Sequence, residues 1–434
     1  MLLRRVGLVV LALFAVIVCT RVQPSAQVRR FVPLADNTPA PLASDAFFDD
    51  TVLHEIRLTI NSRDWQSLRD HYLDNTYYQC DFKWKDKTVR GIGIRSRGTG
   101  SRSGVKPGLR IDFDRYVTDQ KFLGLKSVVL RNNTQDPSSM HERLSMLIFK
   151  RMGLPAPKEA HAKLYINNSY VGLYTIVESI DKVFLKNTFD NDGGYLYKYD
   201  YPADEKPYYF EYRGNDPGLY VPLPFKPETR ESDPRPEFVE QFVRTINQTS
   251  EAQFRSAIND YLDLERFIRH VAVEMWVGDG DGFLGNWGMN NFYLYRFDGE
   301  KRFRFIAWDK SNAFLDGWWY SIWHNITDVE PERQNRLMKR VMSYPNLKTL
   351  FLDTLQEISD STSEIEEGRR SGPGWLEREI EREYGQIRDA TRSDPEKAFS
   401  NDEFESNVDA LREFARNRAE FVRVQILDWR SRSN

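Results

Sequence analysis

Carboxylates and amides crowd into one stretch of this chain. Gly278-Asp279-Gly280-Asp281-Gly282-Phe283-Leu284-Gly285-Asn286 is followed closely by Asn290-Asn291, and Trp308-Asp309 stands a little further on. Oxygen-only donors of this kind suit Mg²⁺ or Mn²⁺, hard cations commonly held by one or two carboxylates together with phosphate oxygens. Asp279 and Asp281 also read as turn residues, chosen with glycine for left-handed backbone. A calcium loop is a third reading, although the spacing lacks the ligand ladder and closing Glu of an EF-hand. A second cluster lies at Arg97-Gly98-Thr99-Gly100-Ser101-Arg102-Ser103-Gly104-Val105-Lys106. A glycine-rich loop ending in a lysine can cradle phosphates with backbone N–H groups while the ammonium neutralises them. The Walker spacing is absent, and a surface lysine on a hairpin is the plainer reading. Arg95, Arg97 and Arg102 add positive charge, which fits a solvated face or any anion.

The elements that must position these residues can be read from periodicity. Short alternating runs at 55–60, 79–84, 88–95 and 109–113 predict strands, with the glycine-rich loop joining the last two. After Asp136-Pro137, Ser138 or Ser139 can cap a helix that runs to Arg151 and stops at Gly153. Glu142 falls on one of its apolar stripes and is expected to be partly buried. Strands follow at 162–166 and 172–177, separated by a turn at Asn167-Asn168. Beyond Asp181 the texture changes to a loop-rich stretch over 190–234, helices over 235–259 and 262–277, a hairpin over 291–307, and charged helices over 343–429. The expected architecture is α+β, with a strand-rich unit at 51–180 and a mainly helical unit at 181–434 carrying the hairpin.

Composition narrows the function classes. The chain has 434 residues, with 61 Lys and Arg against 64 Asp and Glu, a net charge of −3. No global field draws it to nucleic acid. Its two cysteines, Cys19 and Cys80, and six histidines leave no disulfide framework or Cys-based zinc site. Met1-Leu2-Leu3-Arg4-Arg5 followed by the apolar run from Val6 to Cys19 has the form of a signal peptide, the run being shorter than the ~20 residues that span a membrane. Residues 1–26 are therefore expected to be a signal and 27–50 a linker, with no stable membrane span after cleavage and Cys80 left as a lone buried thiol.

Several phrases resemble the spore coat protein H (CotH) family of atypical protein-kinase-like proteins. They are Arg95-Ser96-Arg97-Gly98 with Lys106-Pro107-Gly108-Leu109-Arg110-Ile111-Asp112-Phe113; Gly124-Leu125-Lys126-Ser127-Val128-Val129-Leu130 with Asn132-Asn133; and Asp136-Pro137-Ser138 leading through Glu142-Arg143-Leu144 to Gly153-Leu154-Pro155. Gly172-Leu173-Tyr174-Thr175 with Glu178, Asn291-Phe292-Tyr293-Leu294-Tyr295 and Phe305-Ile306-Ala307-Trp308-Asp309 continue the match. The resemblance implies a two-lobed kinase-like fold, with a strand-rich N-lobe and a mainly helical C-lobe, that binds ATP with Mg²⁺ or Mn²⁺. On that footing Lys106 is the phosphate lysine, Glu142 its partner, Arg97 a further nucleotide contact and Glu178 the hinge. Asp281 is the catalytic aspartate, with Asp279 its rival. Asp309 and Asn291 are metal ligands, with Asn286 competing for the amide role by its five-residue offset from Asp281. The family's Trp-Asp-x-Asp is Trp308-Asp309-Lys310-Ser311 here, so one acid is missing.

Three functions compete at this level. The first is an exported kinase acting on Ser or Thr of a secreted or envelope protein. The second is a noncatalytic protein of the same fold, active in assembly or adhesion. The third is a sugar-binding or hydrolytic protein using Trp318, Trp319, Tyr320 and Trp323, although such aromatic clusters are more often core.

Overall fold

Alternation of apolar and polar side chains builds the first half of the chain. The computed structural model describes residues 42–200 and 207–432. The expected signal, its cleavage point and most of the expected linker lie outside the described residues. β1 (His54–Ile60) sends Ile56, Leu58 and Ile60 inward, then α1 (Ser62–Asp70) leads to β2 (Tyr78–Trp84), β3 (Lys87–Ser96), β4 (Leu109–Asp112) and β5 (Ser127–Arg131). After α2 (His141–Arg151), β6 (Glu159–Ile166) and β7 (Ser169–Glu178) form a hairpin. The seven strands close as a barrel, β1-β2-β3-β4-β5-β7-β6, with the parallel pair β1–β6 completing the ring. Closure leaves no open sheet edge. Phe82, Phe47 and Phe122 fill the interior, with ring centroids 4.9 and 5.0 Å apart for the pairs made by Phe122. Cys80 is buried and free as expected, its thiol pushed up to about 12 by burial.

The second half adds α3 (Lys182–Phe189), β8 (Tyr195–Tyr199), β9 (Phe225–Pro227), α4 (Glu237–Gln248), α5 (Glu251–Asn259) and α6 (Leu264–Val277). The hairpin of β10 (Phe292–Arg296) and β11 (Phe303–Ala307) follows, then α7 (Arg336–Val341), α8 (Pro345–Thr362), α9 (Trp375–Arg392) and α10 (Asn401–Arg432). The expected hairpin is the core of a four-stranded sheet, β11-β10-β8-β9, so the stretch read as loop-rich supplies two strands. α1 and the α4–α5 break at Thr249 were also not anticipated. From Ala43 onward the chain is one compact unit. α2, assigned to the strand-rich half, buries Leu144, Ile148 and Phe149 in the interior shared with α4 and α6. Its N-cap is Met140 and neither serine; Asp136 accepts the Ser138 and His141 N–H groups at 2.9 and 2.8 Å, and the Ser138 hydroxyl accepts that of Met140 at 3.2 Å. Among the described residues, no helix is long and apolar enough to cross a membrane.

Buried cations tie the C-terminal helices to this frame. Arg143 of α2 meets Asp50, Glu379 and Glu383 at 2.6, 2.9 and 2.6 Å, which pins α9. Lys106, 2% exposed, donates to Asp394 at 2.6 Å and to the Leu173 carbonyl at 2.8 Å, fixing the α9–α10 loop on the barrel. Gly172, at φ +138, leaves no room for a Cβ against that carboxylate. Arg418 of α10 donates to the carbonyls of Met275 (2.6 Å) and Trp276 (2.8 Å) at the end of α6, and of Trp318 (2.9 Å) and Tyr320 (2.5 Å). The aromatic patch is mainly packing: Tyr320 is buried, Trp323 lies 4.7 Å from Trp429, and Trp318 donates to Glu413. Removing one partner of a buried ion pair strands the other charge, so Lys106→Ala is expected to cost about 3–5 kcal/mol in urea unfolding. A loss below about 1 kcal/mol, the range of exposed pairs, would contradict this role.

Candidate functional site

The loop after α6 separates the two aspartates that the sequence left open. Gly278 ends the helix at φ +64. Asp279 then turns inward, where buried Lys310 bridges it (2.7 Å) to Glu274 (2.5 Å). Burial alone would lower the Lys310 ammonium's pKa, but the two carboxylates outweigh it and raise it. Lys310, at the open position of the family's Trp-Asp-x-Asp, is thus a structural brace under the loop, and Ser311 stands where the missing acid would be. Asp281 is the aspartate that faces the cleft. Its carboxylate accepts from Asn290 (3.0 Å), Asn291 (3.1 Å) and Asn312 (3.0 Å), three neutral donors that orient it without a counter-charge.

Asn291 and Asp309 stand at the two open ends of the β10–β11 hairpin, and both are non-glycine residues at positive φ, +58 and +49. Such backbone costs on the order of 1 kcal/mol or more and is held by its surroundings. The Asn291 amide N–H₂ donates to the Asp281 carbonyl and carboxylate, which turns its side-chain oxygen the other way. Asp309 accepts from Arg131 at 2.6 Å and from the Ser311 hydroxyl at 3.0 Å. Burial pushes the Asp309 carboxyl up, but Arg131 and then Arg97 outweigh it and hold it at about 2. Both guanidiniums lie over the Trp308 ring, Arg131 at 5.0 Å and Arg97 at 5.7 Å. Arg131 also pairs with Glu142 of α2. Burial dominates at Glu142 and raises it to about 7 despite that arginine.

One open cleft of about 400 Å³ is lined by Asp281, Asn291, Asp309 and Arg97 together with the glycine-rich loop, Lys198 and Lys226. Four of the expected residues do not line it: Glu142 is buried behind it on Arg131, and three lie elsewhere. Lys106 does not reach Glu142, because Asp394 holds its ammonium in the interior, so it is not the phosphate lysine expected of it. Glu178 is buried and accepts the Lys158 N–H at 3.0 Å rather than lining the cleft. Asn286 faces a different hollow, with its side-chain oxygen on His324 at 2.5 Å, which leaves Asn291 as the amide of the site. The cation that Glu142 does meet, Arg131, fell between the matched phrases ending at Leu130 and starting at Asn132. A charge directly after the apolar run Val128–Leu130 was the signal that it needs a buried partner. Among the described residues no group of three or more His, Cys, Asp or Glu side chains converges to hold a metal ion. One carboxylate, Asp309, and one amide, Asn291, fit a hard cation that takes its remaining oxygens from phosphate and water.

A mixed α+β protein with a polar, cation-rimmed cleft at the mouth of a hairpin is the class that this fold and site define. The sequence model described as CotH kinase protein matches residues 94–422, and the chain belongs to that family. It is 24% identical to the inner spore coat protein H of Bacillus subtilis (strain 168) over 371 residues, 85% of this chain and 96% of that one. A solved structure of the Helicobacter pylori proinflammatory kinase CtkA aligns over 74% of this chain and 95% of its own, at 10% identity and a TM-score of 0.27.

The Glu142 shift has a signed consequence. Its carboxyl titrates near 7 in the folded protein and near the ordinary 4.5 when unfolded, so between these values the unfolded chain binds fewer protons and stability falls as pH rises. Asp309 acts oppositely and lower, its contribution being lost as pH falls from 3.8 toward 2. Glu142→Gln is expected to flatten the decline in urea midpoint between pH 4.5 and 7; an unchanged slope would show that Glu142 is not its source.

Proposed function

We propose that the cleft transfers the γ-phosphoryl group of ATP to a Ser or Thr hydroxyl of another protein. The observation that carries this reading is the convergence of Asp281, Asn291, Asp309 and Arg97 on one cleft, with Arg131 joining Asp309 to Glu142 behind it. Asp281, oriented by three amide donors, accepts the hydroxyl proton as the oxygen attacks phosphorus and ADP leaves with the bond electrons. Asp309 and Asn291 would hold Mg²⁺ or Mn²⁺, which supplies charge neutralisation at the phosphate oxygens. Arg97 supplies positive charge on the cleft wall, the role expected of Lys106, and the backbone of the Gly98–Arg102 loop offers N–H donors. Arg131 stands where a phosphate lysine would pair with the helix glutamate, and its fork holds Glu142 and Asp309 together. The name of the Bacillus subtilis relative places that protein in the inner spore coat. That name and the N-terminal pattern of Met1 to Cys19 support an exported or envelope location and an envelope protein as substrate.

One observation favours the noncatalytic alternative: Arg131 and Ser311 each donate to one Asp309 oxygen, so a cation there would have to share the carboxylate with a guanidinium. Labelled ATP with Mg²⁺ or Mn²⁺ separates the readings. Asp281→Ala is expected to lower transfer by roughly 10²–10⁴-fold while keeping an ATP-dependent thermal shift, and Asp309→Ala to lose both. Transfer that survives both substitutions, or no ATP-dependent shift in the unaltered protein, would rule this assignment out.

A further inference from the structure

The antiparallel pairing of β8 with β9 sets Lys198 directly opposite Lys226, and both line the cleft. Like charges opposite one another on a sheet repel. Neither ammonium is deeply neutralised: Lys198 lies 3.3 Å from Asp200 and Lys226 3.1 Å from Glu228, and both pairs are partly exposed. Pairs of that kind are worth at most about 1 kcal/mol, so an incoming anion can replace them. The lysines are also displaced from the Asp309 group. With strands about 4.8 Å apart in the order β11-β10-β8-β9, the strand of Lys198 lies about 10 Å, and that of Lys226 about 14 Å, from the strand that leads into Asp309. Tyr293 of β10 registers with Lys198 and packs 5.6 Å from Trp308, so it stands between the two cationic flanks. Asp281 is bonded to Asn290 and Asn291, the residues that lead into that same middle strand.

A triphosphate held at Arg97, with its accompanying cation at Asp309, would therefore leave a second positive site on the far side of Asp281. We propose that Lys198 and Lys226 are an acceptor-side anion site, and that the segment presented to Asp281 is acidic, carrying a carboxylate or phosphate next to its hydroxyl residue. This rests on the phosphotransferase reading for the role of Asp281, while the anion site itself is testable by binding alone.

Fluorescent serine peptides flanked by glutamate, by phosphoserine or by lysine are titrated into the full chain and followed by anisotropy at low and high salt. Both acidic peptides, or the one whose anion is the natural ligand, are expected to bind at least about tenfold tighter than the lysine peptide, with affinity falling as salt rises. The double variant K198E/K226E is expected to lose about a decade of that affinity, and the milder Lys198→Ser with Lys226→Ser to lose part of it with an unchanged melting temperature. Equal affinity in the variants, no preference for acidic peptides, or displacement of the peptide by Mg²⁺-ATP would overturn the assignment, the last by giving the lysines to the nucleotide. Label transfer is measured in parallel: acidic-peptide binding without transfer retires the kinase reading and keeps the anion site, and transfer indifferent to both lysines does the reverse.

Discussion

A single guanidinium, that of Arg131, is the interaction on which the cleft depends. It ends β5 of the barrel, reaches Glu142 on α2 and Asp309 beyond the second sheet, and lies over Trp308. Two neighbouring elements, β5 and α2, and a third segment 178 residues further on are thus fixed by one planar fork, which suits two carboxylates better than an ammonium would. The balance is uneven: Asp309 is held strongly ionised, whereas burial keeps Glu142 close to protonation near neutral pH. Removing the cation would leave buried Glu142 and part-exposed Asp309 without their shared counter-charge.

The same device recurs through the fold. Arg143, Lys106, Lys310 and Arg418 are all buried, and each joins segments that hydrophobic packing alone would leave free to slide. Packing supplies compactness, while hydrogen-bonded charges specify which helix faces which strand. Arg418 differs in meeting four carbonyl oxygens, and burial pulls it down to about 9. It completes the C-terminus of α6, where carbonyls otherwise lack partners. The Asp281 loop begins at that helix end, so its origin is held from behind.

Much of this was legible in the sequence. Period-two alternation marked β1 to β4 and the β6–β7 hairpin, and the cluster from Asp281 to Asp309 was visible as composition and spacing. β5 is buried along its whole length and shows no alternation, and β9 is three residues long with a proline, so neither carries a periodic signal. α1 has only a narrow apolar stripe around Trp65 and Leu68. Lys106 was misplaced for a different reason. A lysine after a glycine-rich loop looks alike whether it faces a ligand or an aspartate 288 residues away, and local spacing cannot see that partner. Arg131, Lys198 and Lys226 were missed because their roles arise only when separate strands meet.

The separation between partners also bears on when the cleft can exist. Lys106 waits for Asp394, and the end of α6 waits for Arg418, more than 140 residues further along the chain. Closing loops of that length is slow, and contacts of high sequence separation form late. A growing chain that has released the barrel, the hairpin and every residue lining the cleft still lacks the arginine that secures the Asp281 loop. Competence at the cleft therefore arrives with the final helix, and any fragment ending before α10 carries the site residues without the brace that positions them.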